Sequence, residues 1–250
     1  MSLRVLNWRK AMRRSMTSWR ACALVVLSAS MVGCATGGGS AGDGAEAAPL
    51  RARGNEPFWS LDIGSTLRFA EAGGLRVEGA APPVRMVDGV RRYAGKVSGR
   101  AIDVAVTPRV CRDDMTGMPH PFSVEAALDG RRFRGCGGEP VALLRGAEWV
   151  VEDIGGGGII DSSRATLNFR DGGRLDGRAS CNSYSTSYTL TGESLAVGRG
   201  AGTLMACAPA LMRQEQRFLD ILQGVNRFEI SDTGALVLID AQGRKITARR

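Results

Sequence analysis

The sequence holds a single histidine, His120, among 250 residues. That scarcity removes whole classes of chemistry. A zinc site with two or three imidazole ligands cannot form, and neither can an H-E-x-x-H helix. Any Ser-His-acid or Cys-His arrangement would have to use His120, which leaves the second half of the chain without one. Aromatic residues make up only 6% of the chain. The longest apolar run, in "ACALVVLSASMVGC", is shorter than the about 20 residues a spanning helix needs. No phosphate-binding loop is present: "GGGG" at 155–158 lacks the lysine and following helix of such a cradle and reads as a flexible loop. Asp113-Asp114 is a candidate carboxylate pair for acid–base work. Neighbouring residues rarely converge on one substrate, so the pair reads as turn chemistry. The chain is therefore expected to be non-catalytic and to need no cofactor.

Acid is also missing from the first 33 residues, which carry Arg4, Arg9, Lys10, Arg13, Arg14 and Arg20. A basic region, a short apolar run and a small-residue site together predict a secretory leader over residues 1–33. The run ends in Met31-Val32-Gly33-Cys34, which resembles the lipobox of bacterial lipoproteins, and this resemblance implies lipidation of Cys34. Ala35 in the next position fits sorting to the outer membrane. Residues 34–49, rich in Gly, Ala and Ser, cannot bury a core and are expected to be a flexible tether. The implied location is the periplasmic face of the outer membrane, with the lipid anchor as the membrane contact. Six of the eight net positive charges lie in the leader, so the high pI follows from targeting and does not argue for nucleic-acid binding. "RRYAGK" (91–96) and "RRFR" (131–134) are expected to be solvated faces of outer strands.

Four further cysteines follow Cys34: Cys111, Cys136, Cys181 and Cys207. In an oxidising compartment an even set reads as disulfides, with three possible connectivities. The local pairing, Cys111–Cys136 and Cys181–Cys207, keeps one bridge in each half and is the expected one. Around Cys111 the sequence "CRDDMTGMPH" keeps a second reading open. Met115, Met118 and His120 with a reduced Cys111 would suit a soft metal such as Cu(I). The alternative is one end of a disulfide beside a tight turn.

Two small antiparallel β-rich domains, mainly β (α+β), are expected over 50–145 and 146–250. In the first, "PFWSLDI", "TLRFA", "GLRVEG", "RAIDVAVTP" and "FSVEAALDGRRFRGC" read as strands, the last as a hairpin turning at Asp129-Gly130. Asn55-Glu56-Pro57 reads as a turn that feeds Phe58 and Trp59 into the core. In the second, "AEWVVEDI", "ATLNFRD", "RLDGRAS", "SYTLTGESLAV", "RFEISD", "ALVLIDAQG" and "KITARR" read as strands. A single packed helix is expected near 209–223, with Leu211, Phe218, Leu222 and Val225 on one face and Met212, Leu219 and Ile221 beside them. Pro209 suits its first turn and Gly224 its stop.

The second half resembles the META domain, or HslJ, family. The residues that carry the likeness are Trp149-Val150-Val151, "LNFRDGGRLDGRASCNSYSTSY", "TLMACAPALMRQEQRFLDIL" and "ALVLIDAQG". Gly177, Cys181, Asn182 and Tyr184 form G-x-x-x-C-N-x-Y; Thr203 to Cys207 form T-x-M-A-C; Glu215 to Leu219 form E-x-x-F-L. The resemblance implies a compact β-rich envelope lipoprotein, for which no catalytic activity is established, and a link to heat shock and antibiotic tolerance. The first half resembles a poorly characterised domain found beside META domains in proteobacterial lipoproteins, through "GNEPFW" (54–59) and "CRDDMTGMPHPF…GCGG" (111–138). In physical terms, Gly177 allows a bulge or close packing, Asn182 fixes the geometry of the bridge turn, and Tyr184 shares a face with Tyr188. The function so implied is support of envelope integrity or stress tolerance by binding an unidentified envelope protein or component. A hydrolase inhibitor and a small-molecule, lipid or copper carrier are the competing classes.

Overall fold

The computed structural model describes residues 49–250. The leader, Cys34 and the tether as far as residue 48 lie outside the described residues. The described residues belong to one compact unit, built from two antiparallel sheets with separate apolar cores.

The first lobe contains β1 (Leu50–Asn55), β2 (Phe58–Ile63), β3 (Thr66–Glu71), β4 (Arg76–Ala80), β5 (Val84–Val87), β6 (Val90–Val97), β7 (Arg100–Thr107), the short β8 (Cys111–Arg112) and β9 (Pro119–His120), β10 (Phe122–Leu128) and β11 (Arg131–Gly137). Its sheet runs β4-β3-β2-β1-β11-β10-β7-β6-β5, and β8 pairs only with β9. Three two-residue turns, Asp88-Gly89, Ser98-Gly99 and Asp129-Gly130, have both residues at positive φ. This is the backbone that matches the right-handed twist of paired strands and that Asp-Gly supplies at little cost. Alternation then decides the core. Trp59, Phe69 and Phe133 stack inside, with Phe69 and Phe133 centroids 4.9 Å apart.

The turn at Asn55-Glu56-Pro57, with its cis Glu56–Pro57 bond, feeds only Trp59 inward. Phe58 is 55% exposed while Trp59 is 4% exposed. Successive side chains on a strand point to opposite faces, so the two aromatics cannot share the core. The basic clusters do lie on outer faces. Arg92 pairs with Asp103, Arg134 with Glu125, and Arg131 makes two hydrogen bonds to Glu71, while the Arg91 guanidinium sits over the Phe122 ring.

The second lobe opens with α1 (Val141–Leu144) and continues through β12 (Trp149–Ile154), β13 (Thr166–Arg170), β14 (Arg174–Arg178), β15 (Ser183–Leu190), β16 (Leu195–Val197), β17 (Ala201–Gly202), α2 (Pro209–Gln223), β18 (Val225–Ile230), β19 (Leu236–Asp240) and β20 (Lys245–Arg249). Its sheet runs β16-β15-β14-β13-β12-β20-β19-β18, with β17 added to β15. The helix has the expected bounds, with Pro209 in its first turn and Gly224 at its end. Its buried face is rotated from the expected one. Gln214, Glu215, Phe218, Ile221 and Leu222 are buried, Leu211 is half-buried and Met212 is exposed. Val225 lies beyond the helix and starts β18. The glycines at 155–158 are not a free loop, because Asp153 accepts hydrogen bonds from the Gly156 and Gly158 amides, both at 2.8 Å.

Candidate functional site

Two disulfides organise the polar structure of the molecule. Cys111 is joined to Cys136, and Cys181 to Cys207. Around each bridge the sequence motifs of that lobe meet.

In the first lobe the meeting point is the 111–120 hairpin. Strands β8 and β9 pair Cys111 with His120 and Arg112 with Pro119. Asp113 shapes the turn: its Oδ1 accepts from the amides of Met115 and Thr116 and from the Thr116 hydroxyl, at 2.9–3.1 Å. Its Oδ2 accepts from Asn55 Nδ2 at 3.1 Å, so "GNEPFW" and "CRDD" are one structural unit. Burial works to raise the Asp113 carboxyl. The hydrogen bonds from Thr116, Asn55 and Met115 outweigh it and hold the group below its ordinary value. Gly54 and Trp59 complete the unit. The Trp59 indole donates to Arg134 O at 3.0 Å, across a space that a Cβ on Gly54 would fill.

This hairpin is an arm between the lobes. Its base is stapled to β11 by Cys111–Cys136. Met118, directly before its far strand and 3% exposed, enters the apolar core of the second lobe. Arg112 reaches Glu229 and the Ile230 carbonyl on β18. The soft-metal reading of Met115, Met118 and His120 does not survive this arrangement. Met118 is enclosed by hydrocarbon, Met115 is 67% exposed, and His120 Nδ1 is engaged with Gly138 O at 2.8 Å. With Cys111 oxidised as well, no shared donor set exists. Beside the arm, a cleft of about 790 Å³ opens between the lobes. Arg53, Asn55, Asp113 and His120 line one side, and Arg145 and Glu193 line the other.

In the second lobe Asn182 is the hub. Its amide oxygen accepts from the Thr203 hydroxyl (2.8 Å) and the Met205 amide (2.7 Å). Its Nδ2 donates to Glu215 Oε1 at 2.9 Å. Glu215, on α2, is 8% exposed, and its Oε2 accepts from the Cys181 and Asn182 amides at 3.2 and 2.7 Å. A buried carboxylate is thus matched by three N–H donors rather than by a cation, an arrangement that satisfies it without an ion pair. One residue earlier, Gln214 bridges Ser163, Ser180 and the Ile160 amide at 2.7–2.8 Å. Gly177 lies on β14 where a Cβ would collide with the Thr166 carbonyl. Tyr184 and Tyr188 are both buried, with hydroxyls donating to Thr166 O and Arg170 O. Burial pushes the Tyr184 phenol far above its ordinary value. Trp149 is buried with its indole N–H on Leu144 O at 2.8 Å.

These motif residues are therefore a framework that ties loop 203–207 and α2 to the sheet. Sequence reasoning placed Asn182 and Thr203 in motifs but missed Gln214 and Glu215 as buried groups. The signals were Glu215 at the head of E-x-x-F-L and a polar pair interrupting the apolar helix face.

Residues 142–250 match the family model of the META domain. The second lobe is a META domain. Its start, residue 142, falls inside α1, and Leu144 of α1 is wholly buried in the META core. The match begins four residues before the expected 146. An NMR structure of a protein from Burkholderia xenovorans is similar at 24% identity, over 45% of this chain and 88% of that one, with a TM-score of 0.37. A second NMR structure is 22% identical over 43% of this chain and 92% of that one, also with a TM-score of 0.37. No curated protein matches. The first lobe lies outside the META match.

Proposed function

We propose that this protein is a non-catalytic, lipid-anchored binding protein of the bacterial envelope, held by Cys34 at the periplasmic face of the outer membrane and supporting envelope integrity under stress. The observation that carries this reading is the pairing of all four cysteines after Cys34 into one bridge per lobe. Such bridges persist in an oxidising compartment. Cys34, directly behind the apolar leader, is left as the single thiol of the exported chain for the acyl group. The META domain supports an envelope setting, since that is where the resemblance places the family.

The cleft between the lobes supports the binding role. Its volume, about 790 Å³, falls in the range of small-molecule sites, and both lobes contribute charged side chains to it. An envelope component is the occupant we favour. Deleting the gene and challenging cells with detergent and a hydrophobic antibiotic should raise sensitivity, and the wild-type chain should restore tolerance. Complementation by a Cys34→Ser chain should fail. Unchanged tolerance in the deletion strain would remove the stress role, and full rescue by Cys34→Ser would remove the anchor.

A further inference from the structure

Leu204 is 99% exposed, yet the residues on either side of it are tied to the framework. The amide of Thr203 donates to Ser183 O, and the Met205 amide donates to Asn182 Oδ1. Cys207 is bridged to Cys181. A mobile surface loop would shed an exposed leucine into whatever contacts were near. Here the Asn182–Glu215 framework holds the loop so that Leu204 and Met205 point outward. Of the large apolar side chains exposed on this lobe, Leu204, Met205 and Met212 gather around one groove of about 470 Å³, and only Ile160 does not line it. Preorganised apolar residues in a cluster are the mark of a contact surface rather than of scattered exposure.

The charge around the cluster selects the occupant. Arg199 lies in the loop that leads to Leu204, and Arg213 follows Met212 on α2. Arg178 sits on β14 opposite Ser183, whose carbonyl holds Thr203. All three are exposed, and none has an ion-pair partner among the described residues. The nearest acids in sequence are engaged elsewhere: Glu215 is buried and occupied by N–H donors, and Asp176, two residues from Arg178, pairs with Arg170 and Arg174. Asp220 lies eight residues beyond Met212 on α2, roughly 12 Å along the helix. Apolar tips with guanidinium groups at positions neighbouring the groove residues Ser183, Gly198, Gly200 and Met212 complement an anionic bilayer surface, where the tips enter the acyl boundary and the cations meet phosphate.

The chain between Cys34 and the folded unit adds a distance argument. The 14 residues from Ala35 to Ala48 span at most roughly 50 Å when fully extended. On the reading that Cys34 is acylated, the folded unit, whose first lobe follows the tether, stays near the leaflet, and even weak contact by the second lobe is amplified by effective concentration.

We infer that Leu204, Met205 and Met212, with Arg178, Arg199 and Arg213, form a membrane-contact surface that seats the META domain on an anionic phospholipid leaflet. The test uses unacylated, oxidised protein, residues 35–250, so it stands apart from the question of lipidation at Cys34. Sedimentation with vesicles of phosphatidylethanolamine and phosphatidylglycerol (3:1) should show partitioning that phosphatidylcholine vesicles do not match. Leu204→Ser with Met205→Ser should reduce it at least tenfold, and Arg199→Gln with Arg213→Gln should remove the preference for anionic lipid. The loop residues are exposed, so these variants should keep both disulfides and the wild-type unfolding midpoint. Leu204→Trp should become quenched by brominated acyl chains. Partitioning that is absent, or that persists undiminished in the Leu204→Ser, Met205→Ser variant, overturns the inference. So does a Leu204→Trp fluorophore that stays in water, the outcome expected if the surface docks a protein instead.

Discussion

At the scale of single residues, Asn182 illustrates how a short polar side chain can hold together three segments distant in sequence. It touches β17's flanking loop, the bridge turn and α2 at once. Replacing it with alanine leaves the Glu215 carboxylate and the Met205 amide short of partners. A buried group so stranded costs about 1–3 kcal/mol. Asn182→Ala should therefore lower the urea midpoint of unfolding by an amount in that range. Glu215→Gln should behave similarly, because an amide cannot accept from three N–H groups as a carboxylate does. Equal stability of wild type and both variants would show the framework to be incidental.

These residues also mark the limit of what the sequence discloses. Trp149, Gly177, Asn182 and Thr203 were visible as members of motifs, but a motif does not say what a residue touches. Glu215 heads E-x-x-F-L and Gln214 reads as an ordinary polar helix position, and neither pattern says that the side chain is buried. Their partners at 160–182 lie 33 to 54 residues away, beyond any periodicity. Met118 was hidden for the same reason: its apolar surroundings belong to the other lobe.

At the scale of elements, local chemistry was legible and long-range docking was not. The hairpin at Asp129-Gly130 and the helix bounds Pro209 and Gly224 follow from turn and cap preferences of a few residues. Strand β1 escaped notice because its inward positions include Ala52 and Gly54, which give little hydrophobic signal, though its burial alternates cleanly. The 111–120 arm was read as turn plus bridge, and the structure adds its role as a connector.

Two outcomes test that role. Met118→Ala removes a buried side chain from the META core and should destabilise by roughly 2–5 kcal/mol, the usual cost of such a truncation. Thermal unfolding followed in the META lobe should register it, although the residue lies outside residues 142–250. An effect confined to the first lobe would contradict the arm. The pH dependence follows from Asp113, whose folded pKa is lowered. The unfolded chain takes up the proton first, so the arm's stability is full above the ordinary aspartate value of roughly 3.9. It is then lost as the pH falls through the folded value. Wild type should lose more stability between pH 7 and pH 3 than Asp113→Asn, as measured by urea unfolding at each pH. Parallel losses would mean that Asp113 contributes nothing specific.

At the scale of the whole molecule, two β lobes of modest size share one compact unit, each with its own core and one internal bridge. A small lobe gains much from a cross-link, and Cys→Ser at either bridge should cost about 2–5 kcal/mol, felt most in its own lobe. On the proposed function, this bridged pair of lobes is exported and tethered by an acylated Cys34. The most direct measurement is intact mass spectrometry of protein extracted from native membranes, denatured and treated with a thiol-alkylating reagent without reduction. The account predicts a chain beginning at Cys34, heavier by its lipid, with no alkyl group added. A chain that retains residues 1–33, lacks the lipid or gains alkyl groups at Cys111, Cys136, Cys181 or Cys207 would contradict it.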